Sequence, residues 1–220
     1  MPADHYLVTG ATGFIGANLV HRLVANGADV WALVRPAARR DRLAGVAGRV
    51  HFATADLTDP SAVAQALRHV QPTVIFHCSA ASIFSGQRPP SDAEVVRTNL
   101  LGTLHLLEAS AGLPLRCFVN TGSSSEYGWR DTPMREDDVV QPRDAYAISK
   151  CAATLYAAAA GRRGRPALTL RLFSPYGSYD DPRRFIPTAI NAALTESAVP
   201  AADPAMGRDY VYVDDVVEAY

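Results

Sequence analysis

Apolar positions along the 220-residue chain fall into two alternating kinds of run. Short β-branched and aromatic stretches predict strands near Tyr6–Thr9, Val30–Val34, Val50–Ala53, Thr73–Phe76, Arg116–Asn120, Ala167–Leu172 and Asp209–Val213. Longer amphipathic or alanine-rich stretches predict helices near Phe14–Ala25, Pro60–Val70, Ala93–Ala111, Ala145–Ala160 and Ile186–Thr195. Strand and helix in turn are the pattern of an α/β fold, a doubly wound parallel sheet covered by helices on both faces.

Two segments break the alternation. The stretch SSSEYGWRDTPMREDDVVQPRD is long, polar and carries two prolines, and a loop of that length inside an α/β domain is usually functional. At the other end, VDDVVEAY begins an amphipathic helix and stops after less than two turns, so an incomplete C-terminal part is expected. The division that follows is a nucleotide-binding domain over residues 1–174. Residues 175–220 would be the start of a substrate-binding region plus a returning strand and helix of the core.

Composition narrows the function classes. With 48% hydrophobic and 20% charged residues the chain can bury one sizeable core. A net charge of −1 with scattered arginines argues against a nucleic-acid or membrane surface, since both require concentrated cations. The first residues show no basic stretch followed by an apolar one, so a cytoplasmic protein is expected. The six histidines have no partner at helical spacing, and Cys78, Cys117 and Cys151 fit no metal pattern, so no metal is predicted and the cysteines read as small buried residues. Of 21 Lys and Arg residues only Lys150 is a lysine, which makes its position informative.

The first chemical motif is YLVTGATGFIGANLVHRLVANG, a strand, a turn holding Gly10, Gly13 and Gly16, and a helix ending at Gly27. Such glycines let the backbone turn sharply and approach a pyrophosphate, which then sits on the free N–H groups of the helix start. The alternative is a tight structural turn. After the second strand, where a dinucleotide fold reads the adenosine ribose, the chain has Arg35 and no carboxylate until Asp41. Arginine suits a 2′-phosphate, so NADP(H) is favoured, with NAD(H) as the alternative. Asp56, just past the third strand, either accepts from the adenine amino group or caps a helix.

The second motif is DAYAISK. On a helix capped by Asp144, Tyr146 and Lys150 share one face. A free tyrosine titrates near ~10, and an adjacent ammonium favours its phenolate and so suits it to acid–base work near neutral pH.

With TGATGFIG, FHCSAA, TNLLGTLHLLEAS, NTGSSSEYG, YAISK, RLFSPYG and RDYVYVDDV in this order, the sequence resembles the extended short-chain dehydrogenase/reductase family. These are the NAD(P)-dependent epimerases, dehydratases and reductases of nucleotide sugars. The resemblance implies a Rossmann-like fold with Tyr146 as general acid/base. Lys150 would lower the tyrosine's pKa and hold the nicotinamide ribose, and Ser123, or Ser124 if the loop is one residue short, would polarise the reacting oxygen. Asn99 would support the tyrosine–lysine relay. Cofactor contacts would come from Gly10, Thr12, Gly13, Phe14, Ile15, Gly16, Arg35, Asp56, Leu57, Ala80, Ala81, Thr121, Tyr146, Lys150 and Pro175. Ser174, where the family often has Asn, and Arg208 would hold the diphosphate of the substrate. A homodimer is the family's expectation for assembly.

The same resemblance separates the reactions. Dehydratases need an acid and a base beside the catalytic Ser/Thr, and here an ungapped reading puts serines there. A 4-ketoreductase or C4-epimerase is therefore favoured. A gap of one residue would make Glu126 a dehydratase base, so 4,6-dehydratase is the alternative. A non-catalytic dinucleotide-binding protein would be expected to lack Tyr146 or Lys150, and both are present.

Overall fold

The structure, a computed structural model, describes residues 4–84, 88–199 and 207–220. Six parallel strands form its sheet: β1 (His5–Thr9), β2 (Asp29–Val34), β3 (His51–Thr54), β4 (Val74–His77), β5 (Cys117–Ser123) and β6 (Ala167–Leu172), in the order β3-β2-β1-β4-β5-β6. The order reverses between β1 and β4, and a crevice at such a switch point is where open α/β sheets bind ligands.

Each helix is placed by its apolar stripe and its ends. α1 (Phe14–Ala25) buries Leu19, Val20 and Val24 with Val8, Ala32 and Phe76 on one face of the sheet. α2 (Pro60–Val70) starts with Asp59 accepting from the Ser61 and Ala62 N–H groups and Pro60 in the first turn, where no N–H is needed. On the other face α2 joins α4 (Gly102–Ala109) and α5 (Ala145–Arg162) over Leu7, Ile75 and Phe118. The helix predicted over Ala93–Ala111 is three pieces in line: α3 (Asp92–Val96), a π segment (Arg97–Leu101) and α4.

Two expectations are corrected. The strand predicted at Asp209–Val213 is only β8 (Val211–Tyr212), and it does not return to the main sheet. It pairs in parallel with β7 (Pro175–Tyr176), and a separate helix, α6 (Phe185–Leu194), lies between them in the chain. The predicted returning helix does reach the core: in α7 (Val213–Ala219) Val213 and Val217 join the α1 cluster, so tertiary packing supports seven residues that would not be helical alone. Second, Cys78 and Cys117 are half-buried and only Cys151 is buried. A 3₁₀ stretch at Asp41–Arg49 was not predicted. Its two buried residues, Leu43 and Val46, stand three apart, the spacing that stacks on a three-residue turn.

Candidate active site

The Gly-rich turn is built by missing side chains. Gly10 has φ +64°, and a Cβ there would lie 2.6 Å from the Ser79 nitrogen; a Cβ on Gly16 would lie 2.2 Å from the Gly10 oxygen. Gly13 donates to Gly10 O at 2.8 Å and starts α1 in extended conformation with no side-chain cap. The N–H groups of Phe14, Ile15 and Gly16 are thus left to an outside acceptor, and a pyrophosphate fits that cradle. Thr12 presents its carbonyl to Arg42 at 3.2 Å, which ties the turn to the segment after β2.

Further along the crevice, Arg35 is exposed at the end of β2 and acts electrostatically on Asp56. Burial works to raise the Asp56 carboxyl, but the Thr58 N–H, the Thr58 hydroxyl and the Arg35 charge together hold it below its ordinary value. Of the two readings for Asp56, the helix cap falls away, because Asp59 caps α2. Leu57 is buried and its carbonyl accepts from the His105 ring.

The reacting groups sit on β5 and α5. Asp144 caps α5 by accepting from Ala147 N at 2.8 Å, and one turn apart on that helix stand Tyr146 and the buried Lys150. Ser123 ends β5, and its hydroxyl faces the Tyr146 phenol closely enough to favour the phenolate. Of the two serine candidates, the structure therefore brings Ser123, not Ser124, to the tyrosine. Burial raises the Tyr146 pKa; the Ser123 hydroxyl and the Arg184 charge oppose it, while Glu126 and Asp144 add to it. Burial brings Lys150 down to about 8, against the pull of Glu126 and Cys78. Lys150, expected to lower the tyrosine's pKa, stands one turn on from it, and the Ser123 hydroxyl and the Arg184 charge act in that same direction.

A strand, a glycine cradle and a Ser–Tyr–Lys set at one switch point meet the comparison with known proteins directly. The model of the NAD dependent epimerase/dehydratase family matches residues 6–220. The chain belongs to this family. It is 35% identical to the UDP-glucose 4-epimerase of Mycolicibacterium smegmatis, over 97% of the chain and 71% of that protein. It is 31% identical to a dTDP-glucose 4,6-dehydratase of Xanthomonas campestris, over 97% of the chain and 66% of that protein. Among solved structures, the UDP-glucose 4-epimerase of Thermus thermophilus in complex with NAD superposes with a TM-score of 0.82 at 32% identity, covering 98% of the chain and 72% of its own. The family is one of NAD-dependent extended short-chain dehydrogenases/reductases, and its epimerases and dehydratases of nucleotide sugars are among the relatives found.

Within this epimerase/dehydratase site, two expected roles are changed by geometry. Glu126 is fully buried and its carboxylate is occupied by the protein: Oε1 accepts from Ser123 N (2.9 Å) and Thr154 Oγ1 (3.0 Å), and Oε2 from Arg171 Nε (2.8 Å). It braces Ser123 from beneath and does not stand as a free dehydratase base. Gly122 makes room for it, since a Cβ there would lie 2.8 Å from Oε1. Asn99, expected to support the tyrosine–lysine relay, is turned inward by the π segment and holds a loop: Oδ1 accepts from Ala81 N (2.7 Å), and Nδ2 donates to Ala81 O and Ser149 Oγ (both 3.0 Å). Among the described residues, its hydrogen bond towards the relay goes to Ser149, the neighbour of Lys150.

The remaining expected residues fall in two places. Ala80 and Ala81 follow β4 on the side of the crevice opposite the Gly-rich turn. The Thr121 hydroxyl on β5 is engaged by Tyr220 at 2.5 Å. Ser174 (φ +28°), Pro175 and the exposed Arg208 lie at the β7–β8 pair, separate from the main sheet, with Ser174 and Arg208 both just before a strand of that pair.

Sequence reasoning missed three participants. Arg184 has no local motif; its guanidinium is held by Asp180 at 3.0 Å and lies over Phe14 and Phe84 at 6.0 and 5.9 Å. Arg171 is seen only through its pairing with Glu126. His77 stood inside the quoted FHCSAA, a position with no partner in sequence. It is 1% exposed and bonded on both nitrogens, to Thr9 Oγ1 (2.7 Å) and Thr103 Oγ1 (2.9 Å).

Burial and the Lys150 charge lower the His77 pKa to about 3, whereas in the unfolded chain it returns to about 6.5. The unfolded state then binds the extra proton, so this contribution to stability is complete above about pH 6.5 and is lost as pH falls towards 3. Urea midpoints measured at pH 7.5 and 4.5 should drop more in the wild type than in His77→Gln; equal drops would exclude His77 as a source of the acid sensitivity.

Proposed function

We propose that the protein acts at C4 of a nucleotide sugar, as a 4-ketoreductase or C4-epimerase. The observation that carries this reading is the Ser123 hydroxyl placed beside the Tyr146 phenol, next to a serine turn whose own carboxylate, Glu126, is consumed internally. Water removal across neighbouring carbons needs an acid and a base next to the serine, and Ser124 and Ser125 offer hydroxyls alone. When bound, the nicotinamide cofactor supplies hydride exchange. Tyr146 takes the proton from the C4 hydroxyl or returns it to the C4 carbonyl. Ser123 holds the same oxygen, and the Lys150 ammonium, one turn on, steadies the ribose and the charge beneath it. Ser174 and Arg208 receive the diphosphate.

The test is product analysis with UDP-glucose, dTDP-glucose and a 4-keto-6-deoxy nucleotide sugar. A C4 epimer or a 4-hydroxy product supports the reading. Release of water from dTDP-glucose would replace it with the dehydratase reading, which the Xanthomonas relative represents.

NADP(H) is the cofactor proposed, against the NAD of the Thermus complex. Arg35 stands where the ribose is read, and Asp56, whose charge it senses, is already engaged by Thr58. Fluorescence titration with NADPH and NADH should favour NADPH, and Arg35→Asp should reverse the ratio. An unchanged ratio would place the phosphate-reading group elsewhere.

A homodimer is proposed through α5 and the adjoining π segment. Ile148 and Leu155, seven apart on one face of α5, are 50% and 57% exposed beside Leu101 at 40%. Sedimentation equilibrium showing a monomer at micromolar concentration would remove this part.

A further inference from the structure

We infer that His77 is a positioning residue for the dinucleotide: its ring, carrying its proton on Nε2, holds the Gly-rich turn and the Ala80–Ala81 loop at a fixed separation. The inference rests on the reading that the cofactor lies in the crevice between those two walls.

The direction of every proton in this chain of hydrogen bonds follows from one contact. Thr103 Oγ1 lies 2.6 Å from the Asn99 carbonyl, which only accepts, so the Thr103 hydroxyl proton is spent there. Towards His77 Nε2, 2.9 Å away, the Thr103 oxygen must therefore accept, and Nε2 must carry hydrogen. In the neutral ring Nδ1 is then bare and accepts from Thr9 Oγ1 at 2.7 Å. Thr9 Oγ1 in turn faces the Ser79 N–H at 3.4 Å. Protonating the ring would add a second donor facing the Thr9 hydroxyl, and the nearby Lys150 charge opposes that state too.

The two ends of this chain are the two walls. Thr9 is the last residue of β1, directly before Gly10, whose backbone already packs against Cys78 and Ser79 so closely that a Cβ would not fit. Thr103 fixes the carbonyl of Asn99, and the Asn99 side chain clasps Ala81 by both its N–H and its carbonyl. One buried imidazole thus spans the switch point beneath the crevice. A leucine would fill its volume and leave both threonine hydroxyls without this partner, which buried polar groups tolerate poorly.

The experiment pairs binding with spectroscopy on this chain. ¹⁵N NMR of the unmutated protein should show His77 protonated on Nε2 and bare on Nδ1, unchanged from pH 8 to pH 5. In fluorescence titrations at a temperature where all variants are folded, His77→Leu should raise the Kd for NADPH and NADH about tenfold. Thr103→Val should do the same, and the double variant should be no worse than either, because both break one bridge. His77→Gln, whose amide can donate to Thr103, should recover most of the affinity. An Nδ1-protonated ring, or binding by both single variants at wild-type strength, overturns the inference while leaving the crevice reading intact. A wild type that binds neither dinucleotide overturns the crevice reading and this inference with it. Should His77→Leu not fold, the tautomer and Thr103→Val decide the matter.

Discussion

Tyr146→Phe lowers turnover by about 10²- to 10⁴-fold, the usual share of a positioned acid/base, while the Kd for the nicotinamide cofactor stays within about twofold. The substitution removes one oxygen from a residue whose ring position is set by α5, and the serine that faces that oxygen remains in place. Ser123 keeps its place because Glu126 accepts from its backbone N–H. Single-turnover hydride transfer, followed by nicotinamide absorbance, separates the chemical step from binding. Turnover within a few fold of wild type would take the proton-transfer role away from Tyr146.

The second large effect is on stability. Glu126→Ala should cost roughly 3–5 kcal/mol, because it strands the Arg171 guanidinium at a largely buried position and leaves the Ser123 N–H and the Thr154 hydroxyl without their acceptor. Glu126→Gln keeps an acceptor for Ser123 and Thr154 and loses only the charge facing Arg171, so its cost should be smaller. Urea unfolding with linear extrapolation measures both. A change below about 1 kcal/mol for the alanine variant would mean that the carboxylate is not the brace it is taken to be.

Much of this site is legible in the sequence because its determinants are local. The spacing of Gly10, Gly13 and Gly16 states how closely the backbone must turn, and the four-residue step from Tyr146 to Lys150 states a helix face. Strand order, by contrast, needs partners distant in the chain. The run around Tyr210 reads as a core strand by its alternation, yet its neighbour is the short Pro175–Tyr176 segment and not the sheet. The role of Glu126 was open to misreading for the same reason. A glutamate in a polar loop looks available until Arg171, on the adjacent strand, and the missing side chain of Gly122 bring it inside. Arg184 reaches the neighbourhood of Tyr146 from beyond β7, and no short-range pattern announces that.

The π segment at Arg97–Leu101 changes which kinds of sequence alteration this helix can absorb. An extra residue is accommodated there without a break in the helix, and the reward is that Asn99 points at Ala81. Exchanging an exposed side chain such as Leu101 leaves that register untouched. Deleting a single residue from the segment would restore ordinary winding and turn Asn99 by about 100° relative to α4, away from the loop it clasps. In this stretch chain length, more than side-chain identity, encodes the shape of the crevice.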